Sequence, residues 1–275
     1  MKLSSPGVTT TQTAPAEAGL HGRVLDHLGT AICGGDLAPG AVLNIDDLVD
    51  RYGVSRSVVR EVLRVLASMG FIETRRRVGV MIRAAEHWNV LDPQVIRWRL
   101  ASAGRIPQIR SITELRTAVE PHAALLAAQR VDHDQASDLV GLAAKLWAAG
   151  KAGDEERFLA LDIEFHQRVL RASGNEMFVK LQNLVAEVLI GRHHYHLMPH
   201  YPSEQALQLH ADVATSIQRG DGESARRAMV QIMEHAFEEM STIWKQEGVP
   251  DPARVPEPTP EPGRVAATAR APEPA

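Results

Sequence analysis

Residues 45–82, IDDLVDRYGVSRSVVREVLRVLASMGFIETRRRVGVMI, constrain the fold most, because two short helical patterns meet there at a glycine and run into a pair of strands. Gly53 supplies the tight turn between the helices, and Ser55 is placed to cap the second one. Apolar residues recur along the second pattern at helical spacing, at Val58, Val59, Val62, Leu63 and Leu66. This arrangement predicts a helix-turn-helix.

Positive charge is concentrated in the same part of the chain. Residues 51–83 contain eight arginines and two glutamates, a net charge of +6, whereas the whole chain carries −4. On the second predicted helix an arginine recurs every fourth residue, at Arg56, Arg60 and Arg64, so that the guanidinium groups share one face. Arg56, Ser57 and Arg60 lie in the first turns, which reach base edges when such a helix enters the major groove.

A basic hairpin follows this helix. Residues 71–74 and 80–82 predict two short strands, and Arg76, Arg77 and Gly79 lie in the loop between them. A solvated surface explains any single exposed arginine. The stripe, the turn and the hairpin together favour double-stranded DNA as the partner, with the hairpin as a wing.

The segment resembles the N-terminal winged helix of GntR-type bacterial regulators. It carries LAPG at residues 37–40, before the motif, and VSRSVVRE at residues 54–61, within it. The resemblance implies a set of DNA contacts, with a wing residue beside a glycine entering the minor groove: Ser55, Arg56, Arg60, Arg76 and Arg77. The chain departs from some members at Asp46, where they have an arginine that contacts phosphate.

Composition divides the rest of the chain. Residues 1–18 are rich in Ser, Thr, Gly and Pro, and the C-terminal tail from residue 250 holds eight of the sixteen prolines, so we expect disorder over 1–18 and 248–275. The winged helix-turn-helix then covers 19–84 and an all-α helical-bundle domain 85–247, a mostly α protein. Periodicity predicts seven helices in the second domain, at 88–101, 108–129, 134–149, 155–173, 175–197, 204–219 and 222–245.

The chain shows no signal for membrane insertion or disulfide bonding. No apolar run approaches the length of a bilayer span, and the N-terminus lacks the apolar block of a signal peptide, so we expect a cytoplasmic protein. The lone cysteine, Cys33, lies in an apolar helical pattern and has no intramolecular partner.

Asp162 and His166 are one helical turn apart, so a carboxylate oxygen and an imidazole share one face. His210 and His235 are each flanked by apolar residues, which indicates an inward orientation. Oxygen and imidazole ligands suit a divalent transition metal such as zinc, nickel or manganese. The alternative is that some of the twelve histidines are buried, hydrogen-bonded and metal-free.

Residues 87–245 resemble the effector-binding domain of the FadR branch of these regulators, known as FCD. The matching segments are LRTAVE at 115–120, DIEFH at 162–166, SGN at 173–175, and residues 210–221 and 225–229. Many members bind a metal through an aspartate, a histidine four residues later and two further histidines, which implies Asp162, His166 and His210. The usual spacing places the fourth ligand at Ile232, and this chain offers His235 one turn away instead.

A metal with open positions could chelate an acid through its carboxylate and a neighbouring hydroxyl, so we expect a small hydroxy acid as effector. Arg116 and Arg192 are candidates to bind the carboxylate, although Arg116 could equally pair with Glu120. Asn175 is a further effector candidate through its matching motif. Residues 88–98 resemble members that respond to sugar acids, including repressors of galactonate use. We expect the tryptophans and aliphatic residues of this segment to anchor a linker helix to the effector domain.

These observations predict a homodimeric repressor whose winged helices occupy two half-sites of a palindromic operator and respond to a small acid. Two alternatives remain. In one, the Asp/His cluster holds an activating metal of a hydrolase or lyase, with Glu164 or Glu187 as base. No nucleophile motif or phosphate loop accompanies it, so we expect no enzyme. In the other, the helical domain is a metal-free dimerisation scaffold.

Overall fold

The computed structural model describes residues 19–198 and 201–246, with side chains as far as residue 241. The two segments predicted to be disordered, 1–18 and 248–275, lie outside these residues.

The N-terminal part is a winged helix. Its elements are α1 (Leu20–Gly34), β1 (Val42–Leu43), α2 (Ile45–Tyr52), α3 (Arg56–Ser68), β2 (Ile72–Arg75) and β3 (Gly79–Ile82). The three strands form an antiparallel sheet in the order β1-β3-β2, and the β2–β3 hairpin closes with Arg75 opposite Gly79. The two-residue strand β1 is too short to give an alternating pattern, so the sequence did not predict it.

The helix-turn-helix forms where its capping residues predict it. The Asn44 side chain accepts a hydrogen bond from the Asp46 amide and begins α2. Gly53 ends that helix in the left-handed region, at a φ of 61°. Ser55 then caps α3 through its hydroxyl, which accepts from the Val58 amide at 3.4 Å. The buried face of α3 is the predicted one, formed by Val59, Val62, Leu63 and Leu66.

The second domain is helical throughout the described residues, which confirms the mostly α fold class. Its helices are α4 (Pro93–Leu100), α5 (Arg105–Arg130), α6 (His133–Ala152), α7 (Glu155–Ala172), α8 (Glu176–Lys180), α9 (Gln182–His194), α10 (Glu204–Gln218) and α11 (Gly222–Gln246). The predicted helix 175–197 is two helices. The Leu181 amide bonds to the Phe178 carbonyl, three residues back, and this tighter bond separates α8 from α9.

Helix α4 contributes to two hydrophobic cores. Val95 and Trp98 belong to the core of the winged helix, while Ile96 and Leu100 belong to the core of the helical domain. The prediction that this segment is anchored to the effector domain therefore holds for the aliphatic residues Ile96 and Leu100. It is wrong for the tryptophans, because both contact Phe71 of the winged helix. Trp88 stacks on the Phe71 ring with centroids 4.5 Å apart, and Trp98 meets it edge-on at 5.5 Å.

Candidate functional site

The exposed face of α3 carries the side chains predicted to meet DNA. Arg56, Ser57 and Arg60 are exposed along one side of the first two turns, opposite the buried valines. Ser55 is also exposed, and its hydroxyl lies 2.8 Å from that of Ser57. The Ser55 hydroxyl therefore caps α3 and also lies at the end of α3 that is predicted to enter the major groove of DNA.

Two arginines of α3 are engaged by acids. The guanidinium of Arg56 lies 2.5 Å from the carboxylate of Asp46 on α2, and Arg64 pairs with Glu61 on its own helix. Arg60 has no acidic partner among the described residues. From the sequence, Asp46 was noted only because some similar proteins have an arginine there that contacts phosphate. The structure shows that Asp46 instead forms an ion pair with Arg56, a residue predicted to contact DNA.

The wing presents two further cations. Arg76 and Arg77 are exposed at the tip of the β2–β3 hairpin, and neither has an acidic partner in the described part of the chain. Arg77 has a φ of 68° and Gly79 a φ of 109°, both in the left-handed region that the three-residue loop requires. The hairpin therefore extends two guanidinium groups away from the domain.

In the helical domain, α7 and α10 bring three predicted metal ligands together. Asp162, His166 and His210 are all buried, and each offers one ligand atom within 4.8 Å of the others. The Nε2 atoms of His210 and His166 lie 3.1 Å and 3.5 Å from the same atom, Oδ1 of Asp162. The three side chains converge on one point between the two helices.

The opposite ring nitrogens are held by acceptors. Nδ1 of His166 lies 2.5 Å from the Glu120 carboxylate, and Nδ1 of His210 lies 2.7 Å from the Ala206 carbonyl. Because an Nδ1 that donates its proton leaves Nε2 as a lone pair, both rings are oriented as metal-binding histidines are. The residues present therefore fit a divalent cation.

Glu120 is the functional residue that the sequence analysis did not select. It receives a two-pronged contact from Arg116, with Arg116 Nε 2.5 Å from Glu120 Oε1 and Nη2 3.4 Å from Oε2. All of Arg116, Glu120 and His166 are buried. The sequence signal was the spacing of four between Arg116 and Glu120, but nothing in it placed Glu120 against His166.

The charges of this cluster reinforce one another. Burial alone would raise the pKa of Asp162, but His166 and His210, when their Nε2 atoms carry a proton in place of a metal, donate hydrogen bonds that outweigh it and hold that pKa well below its usual range. Burial likewise opposes ionisation of Glu120, whose pKa falls to about 2 beside Arg116 and His166. Both carboxylates are therefore ionised, which is the form that binds a cation.

His235 lies apart from this group. Its Nε2 is 2.9 Å from the Ser203 hydroxyl and 3.2 Å from Oε1 of Glu239, the next turn of α11. The structure does not bring it together with Asp162, His166 and His210, although it lines the same cavity. Ile232, where the resemblance described above would place a fourth ligand, is buried and also lines that cavity.

A cavity of about 290 Å³ lies beside the Asp162–His166–His210 group. Apolar side chains form much of its wall, among them Phe158, Leu159, Leu189, Met198, Ile232 and Met233. Arg116 and Arg192 line it as well. Arg192 is 4% exposed, and its Nε has no hydrogen-bond partner among the described residues. A buried donor without a partner is costly, and an anionic ligand in the cavity would satisfy it.

Other predicted residues lie elsewhere. Asn175 is not part of the cavity wall, and its side chain caps α8 by accepting from the Met177 amide at 3.0 Å. Glu164 and Glu187, the bases of the enzyme alternative, pair with Arg168 and Arg97 and do not line the cavity. Neither carboxylate is positioned to act on a molecule bound beside Asp162.

A search of the described helices for a stretch long and apolar enough to cross a membrane found none.

Two family descriptions match the chain. "Bacterial regulatory proteins, gntR family" matches residues 20–82, and "FCD domain" matches residues 111–235, which contain the Asp162–His166–His210 group. Together they cover about two thirds of the chain. The first describes bacterial regulatory proteins, and neither describes an enzyme, so the hydrolase alternative receives no support.

Individual relatives agree with these matches. The chain is 27% identical to an uncharacterised regulator, YieP, of Escherichia coli K12, over 81% of this chain and 96% of the relative. It is 26% identical to the galactonate operon transcriptional repressor of the same organism, over 80% and 96% respectively. Among solved structures, Streptococcus agalactiae GntR is 25% identical, with a TM-score of 0.43, and covers 78% of this chain and 97% of its own.

Proposed function

Because the chain belongs to the GntR family of bacterial regulators and carries an FCD domain behind its winged helix, we propose that it is a homodimeric repressor controlled by a small hydroxy acid. The two copies of α3 occupy successive major grooves of a palindromic operator. One observation carries the effector part of the proposal. The buried Asp162–His166–His210 group shares a cavity with the unpartnered Nε of Arg192.

On the DNA side, Arg56, Ser57 and Arg60 read base edges, and Arg76 and Arg77 place the wing in the adjacent minor groove. Support comes from the exposure of all five side chains and from the absence of acidic partners for three of the arginines in the described part of the chain. Arginine contacts to phosphate release counterions, so operator affinity falls as salt rises.

In the cavity, Asp162, His166 and His210 hold a divalent transition metal, with zinc as the first candidate and nickel or manganese as the others. When bound, the metal supplies a Lewis-acidic centre that favours a carboxylate with a neighbouring hydroxyl. Arg192 donates to the same acid, and the apolar wall excludes water. Glu120 and the Ala206 carbonyl keep the two imidazoles in the required tautomer.

The protein can adopt two states that differ in affinity for the operator. Binding of the acid changes operator affinity only to the extent that the acid binds one of these states more tightly than the other. The cavity residues Leu189 and Arg192 lie on α9, which packs against α4 through Gly191 and Leu100. Helix α4 in turn packs against α1 of the winged helix. This chain of contacts connects the acid to the DNA-binding domain.

The DNA part is tested with an operator selected from a random duplex pool by the purified full-length protein. Arg60→Ala should weaken binding by about 1–3 kcal/mol, roughly fivefold to 150-fold, in fluorescence anisotropy. Arg64→Ala is the matched control, since Glu61 already engages that arginine, and should change affinity little. Equal losses from both variants would mean that loss of positive charge in general, and not a specific contact of Arg60 with the operator, is responsible.

The effector part is tested by elemental analysis of the purified protein and by thermal shift with a panel of sugar acids and short hydroxy acids, with and without chelator. We expect bound metal, a raised melting temperature with one class of acid, loss of that rise with chelator, and release from the operator. Absence of metal at any occupancy would favour the dimerisation scaffold instead.

A further inference from the structure

The cavity has a second polar wall besides the Asp162–His166–His210 group. It is formed by His235 and Glu239, one turn apart on α11, and the Ser203 hydroxyl lies 2.9 Å from His235 Nε2. His235 Nε2 lies 3.2 Å from Glu239 Oε1, and Arg192 Nη2 lies 3.4 Å from Glu239 Oε2. Glu239 and His235 both line the cavity, so a ligand held at the Asp162 end can extend towards this second wall.

The two walls differ in what they can bind. Arg192 stands between them, with Nη2 near Glu239 and Nε unpartnered and buried, so its free donor is available to an anion. Beyond it, Glu239 offers lone pairs and negative charge, which hydroxyl groups of a ligand satisfy and a second carboxylate does not. His235 adds a group that can exchange hydrogen bonds with hydroxyls.

Resting on the proposed function above, we propose that Glu239 is the specificity-determining residue of this cavity and selects polyhydroxy monocarboxylates over dicarboxylates. The single carboxylate of the ligand lies at the Asp162 and Arg192 end, and the hydroxyls along its chain donate to Glu239. A dicarboxylate of the same length would bring its second anion against Glu239, and like-charge juxtaposition in a confined site weakens binding.

Cavity size fits this class. Its volume of 290 Å³ lies just below the range of roughly 300–1,000 Å³ for small-molecule sites, which suits an acid of a few carbons. A two- or three-carbon hydroxy acid would leave Glu239 and His235 without ligand contacts. The second wall therefore favours acids with a chain of several hydroxyl-bearing carbons.

The test uses matched pairs of acids that differ only at the far carbon: galactonate against galactarate, and gluconate against glucarate, with lactate as the short probe. Binding to the full-length, zinc-loaded protein is measured by calorimetry at pH 8, because burial raises the pKa of Glu239, against the opposing effect of Arg192 and His235. The wild type should bind at least one monocarboxylate at least about tenfold more tightly than its dicarboxylate partner and than lactate.

Glu239→Gln keeps the shape and an acceptor but removes the charge, so it should reduce the ratio within each pair to about one by admitting the dicarboxylate. Glu234→Gln, an exposed position on the same helix, is the control and should leave the ratio unchanged. The melting temperature without acid verifies that both variants fold.

The possible failures are distinguishable. Equal binding of both members of each pair, or a preference that survives Glu239→Gln, overturns the role of Glu239 while leaving an acid-binding regulator. Tight binding of lactate alone would overturn the polyhydroxy class. If none of the five acids binds the zinc-loaded protein, this inference falls. The proposed function falls with it only if the wider acid panel also fails to shift the melting temperature.

Discussion

At the scale of single residues, the ion pair between Arg56 and Asp46 sets how much of the basic stripe is available to DNA. Both side chains are more than half exposed, 63% and 56%, so solvent screens the pair and a phosphate or base edge can displace Asp46. Asp46→Asn should therefore strengthen operator binding a few fold and increase the slope of log affinity against log salt by up to about one. Anisotropy titrations at several salt concentrations measure both.

Asp47→Asn is the matched control for this change. Asp47 is exposed on the same first turn of α2 and makes no ion pair with an arginine within the described chain, yet the substitution alters net charge equally. An equal gain from the two variants would mean that general charge, and not release of Arg56, is responsible.

Glu120 has a different role, since it contacts both Arg116 and His166 and has no contact with solvent. Glu120→Gln removes the charge that fixes the His166 tautomer and should lower metal affinity by about 10–100-fold, as losses of such supporting carboxylates do. It should also lower stability, because Arg116 stays buried beside a neutral partner. Competition with a chromophoric chelator measures the affinity, and thermal unfolding measures the stability.

Glu164→Gln on α7 serves as the comparison, since Glu164 pairs with Arg168 away from the cavity. Metal affinity unchanged in Glu120→Gln, or reduced equally in Glu164→Gln, would rule out this role for Glu120.

At the scale of helices and strands, local patterns predicted the elements well where one face is buried and the ends are capped. Helix α3 has both, with Ser55 at its start and apolar residues at helical spacing. The sequence also predicted that Asp162 and His166 share a face of α7, because a spacing of four fixes that locally. These features depend on residues close together in the chain.

The sequence did not predict contacts between segments that are far apart in the chain. Glu120 and His166 are 46 residues apart, and no periodicity says which face of α5 meets α7. The same holds for His235, whose side chain turns to Ser203 and Glu239. The sequence did not predict that α4 packs against the cores of both domains. Its large residues lie on two faces of the helix, and their spacing does not indicate which core each one joins.

Helix α4 packs closely against α1 at Gly29. A Cβ at Gly29 would lie 2.3 Å from the Trp98 ring, and Trp98 also donates from its indole nitrogen to Asp26 at 2.9 Å. Gly29→Ala should force the indole off α1 and lower stability by about 1–3 kcal/mol, as overpacking does. Thermal unfolding measures the loss.

Gly141→Ala, in the interior of α6 with open space around it, is the control and should be neutral or stabilising by up to about 1 kcal/mol. Similar behaviour of the two variants would show that Trp98 can move without cost.

At the scale of the whole molecule, a metal held as proposed adds to the stability of the native state by mass action, because Asp162, His166 and His210 come together only in the folded helical domain. Dialysis against a chelator should therefore lower the melting temperature, and one equivalent of zinc should restore it. An unchanged melting temperature in a protein shown to have lost its metal would mean that the ion does not lie between these helices.

The shared position of α4 has a consequence for dissecting the protein. A fragment cut at residue 84 would lose Val95 and Trp98 from the hydrophobic interior of its DNA-reading half, while the remaining fragment would expose those same side chains to water. Neither fragment should therefore fold stably on its own, and calorimetry of the intact chain should record one cooperative unfolding transition and not two.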